Sequence, residues 1–379
     1  MGRQEIDVCV VGAGPAGLTA AIEAARYNLS VALVDSSIMP GGQLTKQIHR
    51  FFGPRDHRAG LRGTAIAQEL YEEALDLGVR CWFDSEVYAV SRGTVVEIVR
   101  GLRKGVSPGG SVPFKDVLLA RKLVLAAGAS EKSVAFPGWT LPGVMGAGAT
   151  QAFMNVERVL PGKRFLIVGS GNVGLIVAYQ LLQAGARVSC IVEAAPNIGG
   201  YAVHAAKVRR AGVPILTGHT ITRALGDRQV CGAEIARVNE KFQVIEGSQK
   251  TLDVDTVCIA AGLKPYAKLA SLAGCRLTYV PSLGGWVPLH NEEMVSTVKD
   301  VYVAGDLAGV EEAGIAMEEG RVAGLSAALG LDPGAGQAIT GRIQDALERL
   351  DRLRSGPFGH KKHMDKQGLI DKWYKASSR

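Results

Sequence analysis

Short apolar runs that end in glycine recur along this chain, and they set its architecture. Ile6-Asp7-Val8-Cys9-Val10-Val11 has the near-continuous apolar character of a strand buried in a parallel sheet. The spacing predicts a helix directly after it, with Leu18, Ala21, Ile22 and Ala25 on one face, and then a second strand over Val31 to Val34. About 157 residues downstream the order repeats: strand Lys163 to Val168, helix Leu175 to Ala184, strand Val188 to Val192. Val95 to Val99 predicts an antiparallel ribbon, and Val301-Tyr302-Val303-Ala304 a further strand before a glycine- and alanine-rich helix, Ala313 to Ala328. Ile339, Ile343, Leu347, Leu350 and Leu353 are spaced four, four, three and three, the stripe of an amphipathic helix, and Ser355 to Gly359 breaks it. The tail His360 to Arg379 is polar and basic but carries Leu369, Ile370, Trp373 and Tyr374. It reads either as a helix packed on its own domain or as an arm for docking a partner.

Composition narrows the class. The 379 residues are 47% hydrophobic and 21% charged, ordinary for a globular chain of two or three domains. Glycine is in excess at 48, where a usage of about 7% gives roughly 27, and the excess lies in turns. The net charge is +7, but the basic residues are spread out, which argues against nucleic acid. No apolar stretch approaches the roughly 20 residues of a membrane span. The polar opening Met1 to Asp7 lacks the form of a signal peptide, so the expected location is the cytoplasm. Six cysteines, at 9, 81, 190, 231, 258 and 275, show no metal or cluster spacing.

The turns that follow the two repeated strands carry the chemistry. Gly12-Ala13-Gly14-Pro15-Ala16-Gly17 joins strand to helix, and the next strand ends in Asp35-Ser36. Such a unit holds a dinucleotide: Gly12 permits the turn, Gly14 the approach of a pyrophosphate, Gly17 close packing of helix on strand. The helix N-terminus supplies free N–H groups, and Asp35 accepts from ribose hydroxyls. In the second copy, Gly169-Ser170-Gly171-Asn172-Val173-Gly174 occupies the turn and Glu193 the acid position. Glu193 disfavours a 2′-phosphate, and no arginine follows within 15 residues, so NAD(H) is expected over NADP(H). A static adenine nucleotide such as ATP stays open for this site. The fold class is therefore α/β, two Rossmann-like three-layer nucleotide-binding domains with the second inserted into the first. The first occupies 1–142 and 266–335, the second 143–265, and 336–379 forms the C-terminal helix and tail.

Two further segments, Met39-Pro40-Gly41-Gly42-Gln43-Leu44 and the strand ending Ala304-Gly305-Asp306, resemble the pyridine nucleotide-disulfide oxidoreductase superfamily, closest in layout to low-molecular-weight thioredoxin reductases. The resemblance implies FAD in the first site. Asp306 of Gly305-Asp306 then meets the ribityl–pyrophosphate region, Ala313 the flavin pyrimidine edge, and Gly42 and Gln43 flank the ring. Val87 falls where the family's backbone meets adenine, and Ala127 and Gly128 in the motif that closes the domain.

The chain departs from the reductases in one respect. Neither 41–47 nor 141–150, the two places for a redox-active pair, contains a cysteine, so no internal dithiol can relay electrons. The run Phe136 to Met145, with Glu311-Glu312-Ala313 and Ala316 to Arg321, resembles instead the alpha subunits of heteromeric proline and hydroxyproline dehydrogenases, opine oxidases and hydrogen cyanide synthase. That implies partners: a [2Fe-2S] protein and a second FAD subunit, which oxidises the amine. A stand-alone NADH oxidase or NADH:acceptor reductase and a structural nucleotide-binding subunit remain alternatives. No metal site is expected, and no catalytic residue is assigned. His49 and Lys46 are more often loop residues than proton carriers, and Trp139 reads as packing.

Overall fold

The computed structural model describes residues 2–51, 53–91, 93–101, 114–356 and 359–377. The chain divides into two compact units, Met1–Ser130 with Lys264–Arg379, and Glu131–Leu263.

Unit 1 opens with β1 (Gly2–Val11), α1 (Pro15–Ala25), β2 (Val31–Val34), α2 (Gly63–Asp76), β3 (Arg80–Trp82), β4 (Ser85–Ser91), β5 (Val95–Arg100) and β6 (Phe114–Leu125). Its sheet runs in the order β3-β2-β1-β6-β5-β4. β1, β2, β3 and β6 are parallel, β6 pairing with β1 from Asp116 to Leu125, while β4 and β5 form the expected antiparallel ribbon on the other edge of the N-terminal half of β6.

The chain leaves unit 1 through β7 (Ala129–Glu131). Unit 2 then builds β8 (Val144–Gly146), α3 (Ala147–Gln151), β9 (Arg164–Val168), α4 (Asn172–Gln183), β10 (Arg187–Glu193), α5 (Ala202–Arg210), β11 (Ile215–Thr217), β12 (His219–Leu225), β13 (Gly232–Arg237), β14 (Lys250–Leu252) and β15 (Thr256–Ile259). Its parallel sheet is ordered β11-β10-β9-β15-β8, and β12-β13-β14 make a separate antiparallel sheet. The alternation along β9 shows the layering. Phe165 and Ile167 join one core with Leu175, Val177, Ala178 and Leu181 of α4. Leu166 and Val168 join another with Ile221, Ala224, Ala233 and Ile235 of the antiparallel strands. A strand buried on both faces gives the unbroken apolar run seen in the sequence.

The first boundary lies at 130/131, where the sequence pattern suggested 142/143. Residues 131–142 belong with unit 2 because they are stitched into its antiparallel layer. Pro137 accepts from the Ala224 amide and Pro142 from the Val230 amide, both at 2.9 Å, and Phe136 is part of that core.

The chain returns through β16 (Leu263–Pro265) and completes unit 1 with α6 (Lys268–Leu272), β17 (Leu277–Val280), β18 (Gly285–Pro288), β19 (Val301–Val303), α7 (Ala313–Leu329), α8 (Gly336–Arg354) and α9 (His360–Ser377). β19 adds to β6 in parallel. α7 lies directly on α1: a Cβ on Gly320 would fall 2.1 Å from the Ala16 carbonyl, and one on Gly324 2.3 Å from that of Ala20. Ile339, Ile343 and Leu350 of α8 are buried in the same core, with Leu347 and Leu353 packed against it. Of the two readings of the tail, packing on its own unit is the one the structure describes. Leu369 of α9 is buried with Val280, Leu283, Val287 and Leu289, and Trp373 packs against them. Among the described residues no helix is long and apolar enough to cross a membrane.

Candidate nucleotide-binding sites

Of the residues singled out in unit 1, Gly12, Gly14, Pro15, Ala16, Gly17, Asp35, Gly42, Ala127 and Gly305 meet at the N-terminus of α1. Gly12 has φ +107°, and a Cβ there would sit 2.3 Å from the Ala126 carbonyl and 3.2 Å from the Ala127 nitrogen. A Cβ on Gly17 would overlap the Gly12 carbonyl at 1.7 Å. These two glycines are demanded by the fold. Gly14 is different: φ is −74°, and a Cβ would meet nothing within 4 Å. It is the N-cap of α1, no side chain caps the helix, and Pro15 follows at the first position. Open space thus lies against uncapped amides at a positive helix end, the arrangement that receives a phosphate.

The flanking segments close on this turn. Asp35 accepts from the Ala13 amide at 2.6 Å and the Ser37 amide at 2.7 Å, leaving acceptor capacity on both oxygens, and Ser36 beside it is exposed. The Gly41 amide donates to the Ala13 carbonyl at 2.7 Å, and a Cβ on Gly42 would lie 2.9 Å from Gly14 Cα. Gln43 is exposed on the following turn. Val87 is buried on β4, whose first residue, Ser85, donates its amide to the Asp35 carbonyl at 3.0 Å. Gly128 has φ +70°. Gly305, at φ +68°, would place a Cβ 2.8 Å from that of Ala16. Asp306 is half-buried, and burial pushes its carboxyl up to about 6 against the opposing bond from the Glu311 amide. Ala313 is the first residue of α7, whose N-cap Glu312 makes no capping bond.

Unit 2 repeats this geometry. Gly169 has φ +109°, with a Cβ position 2.4 Å from the Ala260 carbonyl, and a Cβ on Gly174 would lie 2.2 Å from the Gly169 carbonyl. Gly171, the N-cap of α4, again faces nothing within 4 Å, and Val173 on the first turn is exposed. Glu193 accepts from the Ser170 amide (2.9 Å), the Ser170 hydroxyl (2.8 Å) and the Ala195 amide (3.0 Å). One further element escaped the sequence reading. Gly199-Gly200 lies over this turn as Gly41-Gly42 lies over the first: the Gly200 amide donates to the Ser170 carbonyl at 2.9 Å, and the Tyr201 amide to Asn172 Oδ1 at 2.7 Å. The signal was present, since both glycine pairs begin six residues after their acid.

The chain matches the family described as pyridine nucleotide-disulphide oxidoreductase over residues 6–320. It belongs to that family. Family members bind FAD, NAD(P) being the typical second nucleotide, and this chain is accordingly an oxidoreductase. Among curated proteins it is 28% identical over 367 residues to an opine oxidase subunit from Rhizobium meliloti, covering 93% of this chain and 68% of that one. It is 30% identical to the alpha subunit of sarcosine oxidase from the same species, across 88% of this chain but 30% of the relative. It is 27% identical to hydrogen cyanide synthase subunit HcnB of Pseudomonas aeruginosa, across 91% and 75%. Among solved structures, thioredoxin reductase of T. acidophilum superposes with a TM-score of 0.69 at 21% identity, covering 86% of this chain and 99% of that one. L-proline dehydrogenase of P. horikoshii gives 0.64 at 21%, covering 91% and 59%. These two share the fold.

Within the family this chain has no partner thiols. All six cysteines are free. Burial pushes Cys9 and Cys258 up to about 12, and Cys81 and Cys190 up to about 11, so none of these four is a nucleophilic thiolate at neutral pH. His49 stacks on Phe51, with ring centroids 5.6 Å apart. His57 Nε2 lies 2.8 Å from Glu318 Oε1, both side chains being buried. Burial would raise Glu318, but His57, Arg321 and Arg349 hold its carboxyl below the usual range.

Proposed function

We propose that this chain is the FAD- and NAD(H)-binding subunit of a heteromeric amine or imino-acid dehydrogenase of the proline, hydroxyproline or opine type. The carrying observation is the pair Gly14 and Gly171. Each is the one glycine of its turn that the fold does not demand, and each faces space beside an uncapped helix N-terminus. A bare backbone beside open space at a helix N-terminus is what close approach of a pyrophosphate requires.

On this reading Gly12, Gly14, Pro15, Ala16 and Gly17 cradle the FAD pyrophosphate, with Asp35 and Ser36 at the adenosine ribose and Val87 at adenine. Gly42, Gln43, Ala127, Gly128, Gly305, Asp306 and Ala313 surround the rest. Gly169, Gly171, Asn172, Val173 and Gly174 cradle the second nucleotide, and Glu193 orients its ribose. FAD, when bound, supplies the redox chemistry; the chain's residues bind and orient. Hydride transfer requires stacking geometry and no protein acid or base. Three of the relatives are named as subunits, and the internal dithiol of a disulfide reductase is missing. Both support electron transfer to partners: a [2Fe-2S] protein and a second FAD subunit.

Two measurements test this. In stopped flow, NADH should bleach the flavin band faster than NADPH, and Glu193→Arg should narrow the difference. Equal rates in the parent would overturn the NAD assignment, and no bleaching by either would favour a static nucleotide. Proline, hydroxyproline or an opine should turn over with a dye acceptor only when both partners are added back. Turnover by the isolated chain would refute the subunit reading.

A further inference from the structure

Four buried charges meet behind the Gly305–Asp306 turn. Glu319, on the inner face of α7, accepts from the Gly305 amide through Oε2 at 3.0 Å. Its Oε1 takes Lys366 Nζ at 2.7 Å and Arg354 Nη2 at 2.6 Å. Arg354 ends α8 and also binds Glu311 twice, at 3.1 and 2.6 Å. Lys366 belongs to α9, its side chain only 3% exposed, and donates a second bond to the Ala308 carbonyl at 2.9 Å. Lys362, one turn earlier, donates to the Val310 carbonyl at 2.7 Å. Segment 305–311 is therefore gripped at Gly305, Ala308, Val310 and Glu311 by side chains from the last three helices.

Hydrophobic packing does not require this arrangement. Burying two acids and two bases is costly, and an apolar cluster of similar volume is often at least as stable. What charges provide is directional: Glu319 fixes one amide, Lys366 and Arg354 fix Glu319, and Lys366 fixes a carbonyl three residues past Gly305. The group so fixed is a turn at φ +68° that presents the Asp306 carboxyl.

We propose that Glu319, Arg354 and Lys366 are positioning residues for the Gly305–Asp306 turn of the FAD site. The two C-terminal helices are then part of cofactor binding in their own subunit. The inference rests on the reading that Asp306 contacts FAD, and the experiment separates the two.

FAD is titrated into apo-protein of the full chain and followed by flavin fluorescence, for the parent, Asp306→Ala, Lys366→Met, and Glu319→Gln combined with Lys366→Met. Lys366→Met leaves Glu319 undercompensated, and about a tenfold loss of FAD affinity is expected. The double variant removes the surplus charge while the introduced amide oxygen still accepts from Gly305, so it should recover most of that loss. Exchange of the Gly305 amide in the apo-protein should quicken in Lys366→Met and slow again in the double variant. A purely structural role would lower the melting temperature without either recovery. Near-parental affinity of Lys366→Met beside a weakened Asp306→Ala would overturn the proposal and leave the site reading standing. Near-parental affinity of Asp306→Ala would overturn both. If Lys366→Met does not fold, Lys366→Gln, which keeps a donor and drops the charge, is read against the same outcomes.

Discussion

At the scale of single residues, the glycine turns separate what the fold needs from what a ligand needs. Gly12→Ala must place a Cβ 2.3 Å from a carbonyl at φ +107°. It should destabilise the apo-protein by more than about 2 kcal/mol in chemical denaturation. Gly14→Ala meets open space at an ordinary φ and gives up only the preference of an N-cap for glycine over alanine, so apo-stability should stay within about 1 kcal/mol of the parent while FAD titration shows a large loss of affinity. Gly171→Ala should behave likewise toward NADH and leave the FAD content unchanged. Asp306 makes the opposite trade. Its carboxyl is raised by burial to about 6 from 3.8. The unfolded chain therefore releases this proton near pH 4 and the folded chain only near pH 6, so stability falls across that window and stays lower above it. Apo Asp306→Asn should melt higher than the apo parent at pH 7 and show a flatter profile between pH 4 and 6, yet bind FAD more weakly. A parent-minus-variant stability difference that does not fall between pH 4 and 6 would refute the assignment.

At the scale of elements, the strands and the helices after them were legible because each carries its own period. β1 and β9 read as apolar runs since both faces are covered, and α8 reads as a stripe since one face is. α9 was harder. Its burial depends on Lys366, a basic residue whose partner Glu319 lies 47 positions away, and no local pattern encodes that pairing. Leu369, 1% exposed among Val280, Leu283, Val287 and Leu289, is the apolar counterpart. Leu369→Ala should cost about 2–4 kcal/mol in denaturant melts. Deleting His360 to Ser377 should lower the melting temperature further and shed FAD. A truncated chain that keeps FAD and full stability while losing a partner subunit on a sizing column would restore the docking-arm reading.

At the scale of the whole molecule, the thiols decide what chemistry is available. Cys231 is exposed, whereas Cys9, Cys190, Cys258 and Cys275 are buried. A thiol reagent at pH 8 should label Cys231 promptly and those four only after unfolding, as peptide mapping would show. With NADH supplied, the isolated chain should not reduce an aromatic disulfide; steady turnover would mean that electrons find a thiol route after all.

The sequence by itself determined the repeated strand–turn–helix units, the acids that follow them and the missing dithiol, because each is written within about 30 contiguous residues. Only the tertiary structure decided the rest. That residues 131–142 belong to unit 2 follows from bonds to Ala224 and Val230, far along the chain. That Gly14 and Gly171 are free of the fold while Gly12 and Gly169 are bound to it follows from which carbonyls pass nearby. That Glu319, Arg354 and Lys366 meet behind Gly305 follows from three helices converging on one turn. Local pattern records which face of an element is apolar; the partner a buried charge or a bare backbone will meet is fixed only when distant segments pack.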